Sequence, residues 1–71
     1  MSKILPTFAT DYREHEFVVE FVQHKNGITT TIKASSLPTV YDDNLWPDYE
    51  AAKAHGIKHA RRLIDDLIKS Q

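Results

Sequence analysis

The chain has 71 residues, 41% hydrophobic and 27% charged, with a formal net charge of −1 and no cysteine. Near-neutral charge and a pI near 6.4 argue against a dedicated nucleic-acid coat or a membrane-surface peptide, since both carry a basic excess. The missing thiols exclude disulfides and thiolate metal sites. Read as one small domain over residues 1–71, the chain buries only about 60% of its unfolded surface, so it depends on a well-fitted core or a partner subunit.

From the N-terminus, Met1 to Pro6 carries no apolar run of signal-peptide kind, and no stretch is long enough to span a bilayer, which predicts a cytoplasmic protein. Lys3 to Ala9 holds Ile4, Leu5 and Phe8 and reads as a short strand, confined to a sheet edge because Pro6 lacks a ladder donor. Thr10 to Glu14 is polar and reads as a turn. From His15 onward Phe17, Val18, Val19, Phe21 and Val22 form the best strand signal of the chain.

Asn26-Gly27 follows, and such a pair between strand-like runs predicts a type I′ hairpin. With those two residues at the tip, Lys25 faces Ile28, Gln23 faces Thr30, Phe21 faces Ile32 and Val19 faces Ala34. The other face pairs Glu20 with Lys33, Val22 with Thr31 and Val18 with Ser35. One register thus yields an apolar face and a cross-strand ion pair. Leu37-Pro38 interrupts the ladder, Thr39 to Tyr41 offers another extended segment, and Asp42-Asp43-Asn44 reads as an acidic loop. Whether a third strand forms at Lys3 to Ala9 or at Thr39 to Tyr41 stays open.

Asp48 to Lys69 carries the only sustained 3.6-residue apolar period and predicts a long helix. Tyr49, Ala52, Gly56, Ile57, Ala60, Leu63, Ile64, Leu67 and Ile68 share one arc, into which only Lys53 intrudes. Asp48 is placed to cap the helix and Glu50 complements its dipole. Trp46 is expected to pack across the helix start as a hydrophobic staple. Ala52, Gly56 and Ala60 recur every four residues, and a glycine costing about 1 kcal/mol in a helix implies close packing there.

The helix segment His55-Gly56-Ile57-Lys58-His59-Ala60-Arg61-Arg62-Leu63-Ile64-Asp65 is similar to that of short bacterial proteins built as a three-stranded meander followed by one helix. The upstream placement of Trp46, Asp48 and the Lys25-Asn26-Gly27 turn matches as well. That resemblance implies an architecture and carries over no activity and no catalytic residue.

His55 and His59 stand one helical turn apart, a spacing that suits one metal ion. Asp66 lies too far along the helix to be a third ligand, and His15 and His24 fall at opposite ends of one strand, so exposed histidines without metal are expected. Asp42, Asp43, Asp48 and Glu50 lack the spacing of a calcium loop. With only two glycines there is no phosphate cradle, and no nucleophile elbow is present. No cofactor, no small-molecule substrate and no catalysis are expected.

Lys53, Lys58, Arg61 and Arg62 are the one concentrated basic group, although Arg61 with Asp65 and Arg62 with Asp66 form i,i+4 pairs that would neutralise much of it. Val18 and Val22 among Thr29, Thr31 and Ser35 make an apolar patch on the outer sheet face. The sequence therefore predicts an α+β fold, an antiparallel meander of two to three strands covered by one long C-terminal helix. Its leading function is a non-catalytic protein-interaction module, self-associating as a homodimer. The alternative is a small nucleic-acid-binding regulator. The candidate interaction surface is Val18, Val22, Thr31, Lys58, Arg61 and Arg62.

Overall fold

The computed structural model describes residues 2–70. Four strands, β1 (Lys3–Tyr12), β2 (His15–His24), β3 (Gly27–Ala34) and β4 (Leu37–Trp46), precede one helix, α1 (Tyr49–Lys69). They form a single antiparallel sheet in the order β1-β2-β3-β4. The α+β meander is as expected, but it has four strands, because both doubtful segments are real. Pro6 and Pro38 sit in the two edge strands, where a missing N–H is tolerated. The β1–β2 register slips between Leu5 and Phe8, the interval that contains Pro6.

Two boundaries differ from those read in the sequence. Strand β1 runs on to Tyr12, and the polar Thr10 to Tyr12 segment pairs with His15 to Phe17 instead of turning. Tyr12 is the reason, since its hydroxyl donates to both carboxylate oxygens of Asp65 on α1 at 3.0 and 3.2 Å. Asp42 to Asn44 likewise belongs to β4, although Asp42 Oδ1 accepts from the Asn44 N–H at 2.9 Å in a local turn.

The β2–β3 register is displaced by two residues. His24 pairs with Gly27, Phe21 with Thr30, Val19 with Ile32 and Phe17 with Ala34. Lys25 and Asn26 form the tip, and neither has a positive φ, so the turn is not type I′. Gly27 opens β3 at φ +149°, and a Cβ there would lie 2.9 Å from the Trp46 carbonyl oxygen. The glycine serves the close approach of β4 rather than the hairpin tip. A shift of two keeps every side chain on its face, so Phe17, Val19, Phe21 and Ile32 remain in the core and Lys33 still reaches Glu20 at 3.3 Å.

Positive φ values occur instead at Arg13 (51°) and Glu14 (69°), the β1–β2 turn, where no glycine or asparagine relieves them. Left-handed backbone costs an L-residue roughly 1–2 kcal/mol. An Arg13–Asp65 ion pair at 2.9 Å, beside the Tyr12 bond to the same carboxylate, holds the turn against α1. Glu14→Gly is expected to stabilise the protein by about 0.5–1 kcal/mol, raising Tm by about 2–8 °C. Calorimetry checks it, and a lowered Tm would show that the turn is not strained.

Helix α1 begins where expected, with Asp48 Oδ1 accepting the Ala51 N–H at 2.8 Å. Its buried residues are Ala52, Gly56, Ala60 and Ile64, a stripe of period four facing Phe17, Val19, Phe21, Ile28, Thr30 and Ile32. Lys53 intrudes on the apolar arc by placing its ammonium 4.4 Å from the centre of the Phe8 ring. Among the described residues no helix is long and apolar enough to cross a membrane. The helix covers one face of the sheet, and among the described residues no second layer covers the other.

Candidate functional site

One helical turn separates His55 from His59, and the antiparallel return of β4 brings Asp42 beneath both. His55 Nε2 donates to Asp42 Oδ2 at 2.6 Å, and His59 Nδ1 lies 3.7 Å from the same oxygen. The Asp42 side chain is only 9% exposed and each imidazole 27% exposed. The Trp46 indole stacks on His55 at 4.3 Å between ring centres with a 30° tilt. The Trp46 ring thus reaches the second turn of α1.

The Asp42 carboxyl is held below its ordinary range. Burial alone would raise it, but the Asn44 N–H, the His55 hydrogen bond and the positive charge of the two imidazoles together outweigh burial. A carboxyl depressed by folding adds stability above its unfolded pKa of about 3.9, and that stability is lost as pH falls through the lower folded value. Asp42→Asn should therefore flatten the acid limb of the stability curve below about pH 4. Urea titrations at stepped pH in the presence of a chelator check it. An acid limb as steep as that of the parent protein would assign the acid sensitivity elsewhere.

Three buried side-chain polar atoms among the described residues have no hydrogen-bond partner: Thr30 Oγ1, Trp46 Nε1 and His59 Nδ1. All three belong to residues grouped around Asp42. Thr30 is its partner across the β3–β4 ladder, His59 lies beside it, and Trp46 stacks on the His55 that it binds. A shallow depression of about 240 Å3, lined by His55, Lys58, His59 and Arg62, opens the group to solvent.

Asp42 is the residue missed in the sequence as a companion of the histidines. It lies 13 positions before His55, so local spacing gave no hint. The available signal was alternation, since Val40, Asp42 and Trp46 share the inward side of β4 once that strand is read through to its end. The structure brings together Asp42, His55 and His59, and keeps His15 and His24 apart at the two ends of β2.

The six residues of the expected interaction surface divide between two layers. Val18, Val22 and Thr31 alternate with core-facing neighbours and lie on the sheet face away from α1, half-buried among their neighbours. Lys58, Arg61 and Arg62 are exposed along α1. The expected intrahelical pairs are absent among the described residues, because Asp65 is taken by Arg13 and Tyr12, and no ion pair within 4.0 Å joins Arg62 to Asp66. Hydrogen bonds from Arg13 and then Tyr12 hold the Asp65 carboxyl low. Arg61 lies over the Tyr12 ring at 4.8 Å. The basic stripe is less neutralised than its spacing implied.

The chain matches no protein-family model, no curated protein and no solved structure in such comparisons.

Proposed function

We propose that the chain is a non-catalytic, cytoplasmic interaction module that self-associates through the sheet face left uncovered by α1. The observation that supports this reading most is where its exposed apolar side chains lie. Ile4 pairs with Val22 and Tyr41 with Thr31 on the outward side, and they are 81% and 75% exposed. With Val18 and Val22 they lie on one sheet face, where the Glu20–Lys33 ion pair stands between the two valines of β2. The accessible surface of 5013 Å2 exceeds the ~4,500 Å2 expected for a monomer of 8.2 kDa. That excess fits a layer lacking its cover.

Face-to-face packing is favoured over edge pairing. Both edge strands carry a proline, which blunts an edge as a template for another strand. Two such faces would stack about 10 Å apart, with Ile4, Val18, Val22 and Tyr41 at the centre. Light scattering across a concentration series tests this. The parent protein is expected to pass from monomer to dimer by high micromolar concentration, and Val18→Lys should hold it monomeric. A strict monomer throughout would refute self-association.

The alternative reading, a nucleic-acid regulator, draws support from the basic stripe of Lys58, Arg61 and Arg62 now that Asp65 is engaged elsewhere. Salt-dependent binding to mixed DNA and RNA, abolished by charge reversal at Arg61 and Arg62, would favour it over the first.

A further inference from the structure

We propose that Asp42, His55 and His59 form a binding site for a divalent transition-metal ion of the zinc type. One ligand atom from each of Asp42, His55 and His59 lies within 4.8 Å of the other two. Around a tetrahedral ion with bonds of ~2.0–2.2 Å, donor atoms stand roughly 3.3 Å apart. The observed separations of 2.6 and 3.7 Å from Asp42 Oδ2 to the two nitrogens bracket that value. Two imidazoles and a carboxylate are ligands of the hardness that zinc, cobalt and nickel accept.

Two further observations point to a guest at this place. His59 Nδ1 is buried without a partner, a condition that costs free energy unless something binds there. Thr30, whose Oγ1 is also unpartnered, is the ladder neighbour of Asp42. The depression lined by His55, Lys58, His59 and Arg62 opens the two imidazoles to solvent. To bind the ion through Nε2, His55 gives up the proton it donates to Asp42 and takes its other tautomer, with the proton on Nδ1. The ion ties α1 to β4 in a chain with no disulfide to do so.

The test uses full-length protein without a histidine tag, titrated with zinc by calorimetry and with cobalt by visible absorption. One-to-one binding is expected, with the cobalt spectrum of a four-coordinate site. Zinc at about a hundredfold excess over Kd should raise Tm by about 11–22 °C. Asp42→Asn and His59→Gln should each weaken zinc binding by more than about tenfold, while the double change His15→Ala and His24→Ala leaves it unaltered. A gain-of-signal variant does not depend on loss. His59→Cys should keep one-to-one binding and add a thiolate charge-transfer band to the cobalt spectrum. No saturable binding, binding indifferent to Asp42→Asn and His59→Gln, or a cysteine variant without the new band would overturn the assignment.

Discussion

Replacing Phe21 with alanine is expected to lower stability by about 3–5 kcal/mol, a large part of what a chain of this size holds. Phe21 is fully buried at the middle of β2, between Leu5 on β1 and Thr30 on β3. Its ring meets Tyr49, the first residue of α1, at 4.7 Å between centres with a 50° tilt. The Tyr49 hydroxyl in turn donates to the Pro6 carbonyl at 2.9 Å. Truncation therefore leaves a cavity and loosens the contact that fixes the start of the helix over the β1 edge. A chain of this size holds a total of about 4–11 kcal/mol, so one such loss consumes a large part of it. Urea unfolding followed by circular dichroism checks the expectation, and a loss below about 1 kcal/mol would place the core elsewhere.

Gly56→Ala is the second large effect, and its sign decides between two opposing contributions. Alanine favours a helix over glycine by about 1 kcal/mol. Against that, a Cβ at Gly56 would lie 2.7 Å from Cγ1 of Val19. Val19 is fully buried in the central strand β2, and a β-branched side chain has little rotamer freedom with which to withdraw. Overpacking of a tight core costs about 1–3 kcal/mol, and because helix and sheet must separate to admit the methyl, the upper half of that range applies. A net loss of about 1–2 kcal/mol is expected. Val19→Ala in the same molecule should recover part of it, a coupling that a double-mutant cycle measures. A Gly56→Ala protein more stable than its parent would mean that the helix rides higher on the sheet.

The helix was legible because three independent signals agreed: the capping Asp48, the apolar period and the stripe Ala52, Gly56, Ala60. All three hold in the structure. The face of β2 was legible for the same reason, since Phe17, Val19 and Phe21 alternate with Val18 and Glu20. Register was not. Asn26-Gly27 carries a local preference for a type I′ tip, whereas the position of Gly27 is set by the approach of Trp46 from β4, a contact 19 residues distant that no local rule contains. The edge strands were obscured by Pro6, Pro38 and polar stretches that solvent tolerates on an edge. Asp42 illustrates the cost: read as part of a loop, it had no reason to meet His55.

One helix seals one side of the four-stranded meander, and the proposal is that the opposite side meets a second copy. Amide and methyl NMR spectra recorded on dilution from millimolar to low micromolar concentration test this most directly. Shifts confined to Ile4, Val18, Val22, Tyr41 and their outward neighbours are predicted. Shifts concentrated on Lys58, Arg61 and Arg62, or spectra unchanged by dilution, would contradict it.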